Sequence, residues 1–149
     1  MNAKRLILAA IAVFAFVFVF DWVLHGRILK DTYIQTASLW RSESEMGQHF
    51  GWLVLGQLLL SMMFCLIYAL RPGSRDGIGP GIGYGLMVAL LLTSPTLISY
   101  AVQPLPLNLI GSWILGGIIQ LVIAGALLGA IYRPKPATAL PSGQQVAVA

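Results

Sequence analysis

Charged side chains are scarce in this sequence. Asp, Glu, Lys and Arg together make up 9% of its 149 residues, whereas a soluble domain has about 25%. Apolar residues make up 58%. A fold surrounded by water covers its surface with charged groups, and five acidic and nine basic residues are too few to do so. Lipid requires no such surface, so the composition excludes a water-soluble protein and predicts one that lies in a membrane.

Cysteine is almost absent as well. The single cysteine, Cys65, lies inside an apolar run, which excludes an intrachain disulfide. No serine, cysteine or aspartate nucleophile stands beside a base in the sequence, and this favours a protein that is not an enzyme. The glycine-rich stretch 77–85 has no Gly-Lys-Ser/Thr, misses the dinucleotide spacing and follows no strand, so nucleotide binding is excluded.

Four apolar stretches are long enough to cross a bilayer: residues 6–24, 50–70, 81–103 and 109–132. About 20 helical residues, at roughly 1.5 Å each, cross a hydrocarbon core of about 30 Å. Because no water reaches that core, each stretch must satisfy its own backbone by forming a helix. The sequence therefore predicts an all-α fold, a four-helix transmembrane bundle in one domain of residues 1–134, with a small, polar and disordered tail over residues 135–149.

The basic residues lie between the apolar stretches, where they indicate topology and not a nucleic-acid surface. With four spans both chain termini lie on one side of the membrane. That side has six Lys and Arg and the other side has three. The six are Lys4, Arg5, Arg71, Arg75, Arg133 and Lys135, and the three are Arg27, Lys30 and Arg41. The positive-inside rule predicts an inner (plasma) membrane protein with both termini in the cytoplasm.

The segment between the first two spans, residues 26–48, is the largest outside the membrane. Leu29, Tyr33, Ala37 and Trp40 recur at helical spacing, which predicts an amphipathic helix that lies on the membrane surface or covers the end of the bundle. The sequence from Ser42 to Glu45 fits a capping box, so the second long helix is expected to begin near residue 43.

Four polar residues at this boundary form the first candidate site. Asp21 and His25 are four residues apart, as are Glu45 and His49, so each carboxylate shares a helix face with an imidazole. If the first two helices pair, both couples lie at one depth and can bind a divalent metal or haem, or relay protons. In the structural alternative Asp21 holds Arg27 or Lys30 and Glu45 only caps its helix. The sequence itself requires no cofactor.

A polar band deeper in the apolar stretches forms the second candidate site. It consists of hydroxyl and amide side chains, and Pro95 breaks the backbone bonding of the third span beside them. As a function, this band lines a site for a small molecule or ion; as structure, it supplies hydrogen bonds between helices. Its members are Gln57, Ser61, Thr93, Ser94, Thr96, Tyr100 and Gln120.

Glycine pairs form a third feature. Gly47 and Gly51, Gly81 and Gly85, and Gly125 and Gly129 are each four residues apart, which places two glycines on one helix face in each case. Such faces allow backbones to approach closely, either within the bundle or in a homo-oligomer or a complex with another membrane protein.

The outline resembles small four-helix bacterial inner-membrane proteins of unknown function. The stretches that carry this resemblance are 21–26 (Asp-Trp-Val-Leu-His-Gly), 39–41 (Leu-Trp-Arg), 81–85 (Gly-Ile-Gly-Tyr-Gly) and 131–132 (Ile-Tyr). The resemblance implies an uncharacterised membrane protein and supplies no active site. Three functions follow from the residues: a non-enzymatic accessory or oligomerising subunit, a small transporter or channel using the polar band, and a metal- or haem-binding protein.

Overall fold

The computed structural model of the protein describes residues 2–71 and 77–132. Within these two ranges the chain is helical and has no β-strand. Five α-helices follow one another: α1 (Ala3–Val23), α2 (Lys30–Gln35), α3 (Glu43–Leu70), α4 (Ile78–Val102) and α5 (Leu107–Ile131). The predicted tail lies outside the described residues, as do the topology residues Arg75, Arg133 and Lys135.

Four helices are long and apolar enough to cross a membrane, as the four apolar stretches predicted. They are Ala3–Ile28, which continues α1 through a turn of π-helix, and the whole of α3, α4 and α5. The all-helical fold with four long apolar helices is therefore confirmed, and it suggests a multi-pass membrane protein.

The start of α3 follows the predicted capping box. The Ser42 Oγ atom accepts a hydrogen bond from the backbone N–H of Glu45 at 3.3 Å. The Glu45 carboxylate in turn accepts one from the backbone N–H of Ser42 at 3.1 Å. These two bonds satisfy backbone donors that have no partner inside the helix, so α3 begins at Glu43.

The bundle is built around α1 and α5. Helix α1 contacts both α3 and α5, and α4 packs along α5. On α1 the buried residues Ala9, Val13 and Val17 recur every four positions and therefore form one stripe along the helix. This stripe packs in the same core as Leu121 and Leu128 of α5.

Glycines bring α4 and α5 together. A Cβ atom added at Gly81 would overlap the backbone carbonyl oxygen of Gly125, and one added at Gly85 would overlap that of Leu121. A Cβ atom added at Gly129 would likewise overlap the backbone carbonyl oxygen of Gly77. Two of the three predicted glycine pairs therefore pack against each other inside the bundle, because only glycine permits this backbone separation.

The connector segment, residues 24–42, differs from the single amphipathic helix that its spacing predicted. It contains a π turn at Leu24–Ile28, the short helix α2 and a 3₁₀ turn at Ala37–Leu39. Leu29 is 5% exposed and packs with Leu105, which precedes α5, and with Leu109 and Ile110 in the first turn of α5. The segment thus folds back over one end of the bundle, which we call the connector end.

At the opposite end, aromatic residues join α3 to α4. The Tyr84 hydroxyl donates a hydrogen bond to the backbone carbonyl of Phe64 at 2.7 Å. The Tyr84 ring lies 5.3 Å from that of Tyr68, and the Arg71 guanidinium lies 3.9 Å from the Tyr68 ring centre. These contacts close the bundle at this end.

Candidate functional site

Asp21 is the acidic side chain at the meeting point of three long helices. Its Oδ2 atom accepts a hydrogen bond from Gln57 Nε2 of α3 at 2.6 Å. Its Oδ1 atom accepts one from Gln120 Nε2 of α5, also at 2.6 Å. Both partners are uncharged amides, so the carboxylate is held by hydrogen bonds without neutralisation of its charge.

The position of Asp21 follows from the buried stripe of α1. It lies four residues after Val17 and therefore continues the stripe that faces α3 and α5. Gln120 is 8% exposed, and its Nε2 atom also donates to the backbone carbonyl of Val17 at 3.3 Å. Packing thus fixes both amides toward one carboxylate.

The pattern of donors is that expected for an ionised carboxylate. Each oxygen of Asp21 accepts a strong hydrogen bond, and an ionised carboxylate only accepts. A carboxylic acid would need an acceptor for its own proton. Asp21 is partly buried, and a partly buried charge is more stable when a charge of opposite sign is nearby. The site therefore has the electrostatic character of a binding site for a cation.

Two oxygen atoms beside this site have no hydrogen-bond partner in the described part of the chain. They are Gln57 Oε1 and Ser61 Oγ, and both atoms are buried. Ser61 is 0% exposed and lies one helical turn from Gln57 on α3. An unpaired buried polar group costs about 1–3 kcal/mol, so the two oxygens mark places where a hydrogen-bond donor is favoured.

A groove of about 1270 Å³ opens between the end of α1, the connector segment and the first half of α3. Asp21 and Gln57 lie in its wall. Lys30, Arg41 and Glu43 are exposed and also line it. Most of the remaining wall is aromatic or aliphatic: Phe18, Trp22, Tyr33, Ile34, Leu39, Trp40, Met46, Phe50, Trp52 and Leu53. The groove therefore combines an apolar wall with the Asp21 carboxylate, and the charged side chains Lys30, Arg41 and Glu43 also line it.

Four rings at the connector end, His25, Tyr33, Trp40 and Trp113, form what we call the aromatic cover. The Tyr33 hydroxyl accepts a hydrogen bond from Trp113 Nε1 at 2.8 Å and lies 2.6 Å from His25 Nδ1. The Trp40 ring packs 5.5 Å from that of Tyr33 and 6.0 Å from that of Trp113. These contacts hold the connector segment against α5.

Burial raises the pKa of the Tyr33 hydroxyl above its ordinary value, because water stabilises the phenolate less well there. The hydrogen bond from Trp113 acts in the opposite direction, and the negative charge of Asp21 adds to the increase. The hydroxyl therefore remains protonated and available for hydrogen bonding well into the alkaline range.

The turn of π-helix, Leu24–Ile28, carries His25, the member of the aromatic cover that is nearest to Asp21 in sequence. In it the backbone N–H of Leu29 donates to the carbonyl of Leu24, five residues earlier, at 2.9 Å. Single π turns within α-helices occur often at functional sites. Here the turn extends the first long helix to Ile28 before the chain folds back.

The four residues predicted as a metal site do not come together. His25 contacts Tyr33, and Glu45 contacts Ser42. His49 is exposed, and its Nδ1 atom lies 2.8 Å from the backbone carbonyl oxygen of Glu45. Across residues 2–71 and 77–132, no three His, Cys, Asp or Glu side chains are grouped closely enough to hold a metal ion. The reason is that Asp21 faces the centre of the bundle, whereas His49 faces away from it.

The polar band divides into two parts. Gln57 and Gln120 both donate to Asp21, and Ser61 lies one helical turn from Gln57 on α3. On α4 the hydroxyls bond to their own helix: Thr93 Oγ1 donates to the carbonyl of Ala89 at 3.0 Å and Thr96 Oγ1 to that of Leu92 at 3.4 Å. Ser94 and Tyr100 are exposed. The α4 members of the band therefore do not line the site at Asp21.

Comparison with known protein families, with curated proteins and with solved structures finds no match for this chain. The function must therefore be inferred from the site itself.

Proposed function

We propose that the protein is a multi-pass membrane protein whose four long helices cross the inner membrane, with both termini in the cytoplasm and the connector end outside. The length and apolar character of the helices support insertion. The excess of Lys and Arg on the side of the termini supports the orientation. Cysteines introduced at Asp31 and Ser74 test it: in intact cells an impermeant maleimide should label only the first.

We propose further that this bundle is not an enzyme but a binding protein for organic cations, which enter the groove with the positive group against Asp21. The observation that carries the proposal is the hydrogen bonding of Asp21, whose two oxygens accept from the side-chain amides of Gln57 and Gln120, both of which are uncharged. A cation in the groove supplies a positive charge beside Asp21, where partial burial reduces screening by water.

The wall of the groove suits an apolar body attached to that positive group. Trp22, Trp52 and Phe50 line it together with aliphatic side chains. Aromatic faces attract cations, and the contribution increases when water is excluded. A lipid-soluble amine or alkylammonium ion therefore fits the groove better than a hydrated inorganic ion.

Tryptophan fluorescence tests this proposal directly. The chain has four tryptophans; Trp22, Trp40 and Trp52 line the groove, and Trp113 belongs to the aromatic cover. Titration of the purified protein in lipid nanodiscs with dodecyltrimethylammonium should change the emission saturably. In Asp21→Asn we expect the affinity to fall by about tenfold or more, because the charged partner is removed while the shape is kept.

Two controls test whether the response depends on the Asp21 carboxylate and on the charge of the probe. Asp31→Asn removes an exposed carboxylate of α2 and should leave the affinity unchanged. Dodecanol, which has the same chain without the charge, should give no saturable change in any variant. Equal responses of the wild-type and Asp21→Asn proteins to the cation would contradict the proposal.

A second function, an accessory or oligomerising subunit, is favoured by one separate observation. Gly47 and Gly51 share a face of α3, and a Cβ atom added at either would meet nothing within 4 Å. This small-residue face is uncovered in the monomer, so it is free to contact a helix of another membrane protein or of a second copy.

Substitution at that face tests the second function. Gly51→Val should lower the fraction of oligomer, or the amount of co-purified partner, measured by mass photometry in nanodiscs. Gly117→Val on α5 is the matched control, because its Cβ atom also meets nothing within 4 Å. Equal behaviour of the two variants would contradict an interface on α3.

A further inference from the structure

We infer that the preferred ligand is a primary ammonium, R–NH₃⁺, and that Gln57 selects it over fully methylated cations. This inference rests on the proposed cation site at Asp21. It adds the chemical class of the positive group, and it comes from the unpaired oxygen of the Gln57 side chain.

The Gln57 amide places an acceptor beside the carboxylate. Its Nε2 atom lies 2.6 Å from Asp21 Oδ2, and within one amide the oxygen is bonded to the same carbon as the nitrogen. The terminal torsion of a glutamine is soft. A turn about it brings Oε1 next to Asp21, on the side of the groove that both residues line. The two oxygens then face one ammonium nitrogen.

A further change in the Gln57 rotamer satisfies the second unpaired oxygen. Gln57 Nε2 leaves Asp21 when the ammonium takes its place, and the nitrogen needs a new acceptor. Ser61 Oγ is buried without a partner one helical turn away on the same face of α3, so a change in the χ angles of Gln57 brings Nε2 to it. In the bound state the ligand donates to Asp21 and to Gln57 Oε1, and Gln57 Nε2 donates to Ser61 Oγ.

A quaternary ammonium cannot produce this arrangement because it has no N–H group. It is attracted to Asp21 and to the aromatic wall, but it leaves Gln57 Oε1 and Ser61 Oγ unpaired. A primary ammonium has three N–H donors and satisfies the acceptors it meets. The primary ammonium therefore makes one or two more hydrogen bonds to the site than the quaternary ammonium does. Because the donor is charged, we expect the site to bind the primary ammonium more tightly by about tenfold or more.

The test compares dodecylammonium with dodecyltrimethylammonium by tryptophan fluorescence on the full chain in nanodiscs. Each affinity is divided by that of Asp21→Asn, which corrects for partition of the probe into lipid. The wild-type protein should prefer dodecylammonium by about tenfold. In Gln57→Leu the preference should fall to about twofold or less, while dodecyltrimethylammonium still binds more tightly than in Asp21→Asn.

Ser61→Ala tests the selectivity in a variant that should fold like the wild-type protein. It removes a hydroxyl that has no partner in the unbound protein, so the thermal midpoint should stay the same or rise, while the preference for dodecylammonium should fall severalfold. Thr93→Val is the matched control, because the Thr93 hydroxyl bonds to its own helix; it should leave the preference unchanged.

The outcomes separate the inference from the function it rests on. Equal affinities for the two cations, both lost in Asp21→Asn, would overturn the primary-ammonium selectivity and leave the cation site intact. Binding of neither cation, or binding that Asp21→Asn does not change, would overturn the site itself. If sodium chloride competes with dodecylammonium as strongly as butylammonium chloride does, the site is one for inorganic cations and the inference fails.

Discussion

Asp21 of α1 and Gln120 of α5 are 99 positions apart in the chain, and their side chains hydrogen-bond at 2.6 Å. Gln57 of α3 completes the arrangement on the other carboxylate oxygen. One carboxylate thus joins three of the four long helices. The same contact that holds the bundle together also fixes the charge in the wall of the groove, so stability and function depend on the same side chains.

Loss of the Gln120 amide should destabilise the bundle. In Gln120→Leu the Oδ1 atom of the partly buried Asp21 loses its donor, so we expect a loss of about 1–3 kcal/mol in the free energy of unfolding. Thermal unfolding in nanodiscs measures it. Gln103→Leu, at the exposed end of α4, is the control and should change stability by less than about 0.5 kcal/mol. Equal midpoints for the two variants would contradict a structural role of the Asp21 contact.

Alanine should have opposite effects at two glycines of α4. In Gly85→Ala the new methyl group overlaps the Leu121 carbonyl oxygen, so α4 and α5 must separate. We expect a loss of more than about 2 kcal/mol. In Gly83→Ala nothing lies within 4 Å of the methyl group, and stability should stay equal or rise by about 0.5–1 kcal/mol. A similar change in both variants would mean that the close contact between α4 and α5 is absent.

High pH should weaken the aromatic cover through Tyr33. The folded protein raises the pKa of this hydroxyl above the ordinary value of 10.0, so the folded state favours the neutral form. Its contribution to stability is complete below the ordinary pKa and is lost as the pH rises through the higher folded value. Wild-type protein should therefore lose more stability between pH 9 and pH 11.5, roughly, than Tyr33→Phe does. Parallel pH curves for the two proteins would contradict burial of this hydroxyl.

Removal of the cap of α3 should loosen the start of that helix. Ser42→Ala deletes the acceptor for the Glu45 backbone N–H, at a cost of about 1 kcal/mol. Hydrogen exchange of residues 43–46 should become faster in this variant. Ser44→Ala, two positions later, leaves the cap in place and should keep the slow exchange. Unchanged exchange in Ser42→Ala would show that packing alone determines where α3 begins.

The helices could be predicted from the sequence because each depends on local properties. Apolar length defines the four long helices, and the Ser42–Glu45 box fixes the first residue of α3. The glycines four residues apart predict close helix contacts, but the pairing of α4 with α5 is seen only in the structure. The connector segment could not be predicted as it is, because its three short helical turns are held by contacts with α5 that are distant in sequence.

The site was predicted only in separate parts. The i, i+4 spacing at the end of the predicted span 6–24 groups Asp21 with the histidines, whereas Gln57 and Gln120 are grouped with the hydroxyls deeper in the membrane. The π turn extends that helix to Ile28. Asp21 therefore lies seven residues inside the end of its helix, at the depth where Gln57 and Gln120 meet it. The sequence also does not show that the α4 hydroxyls bond to the backbone of their own helix and therefore do not line the site at Asp21.

The most direct measurement of the central claim is the number of cations held by each chain. Native mass spectrometry of the protein released from nanodiscs equilibrated with dodecylammonium should show one bound cation per chain for the wild-type protein and for Asp31→Asn. Asp21→Asn should carry none at the same probe concentration. Retention of the bound cation by Asp21→Asn, or its absence from all three proteins, would show that the carboxylate between α1, α3 and α5 is not a cation site.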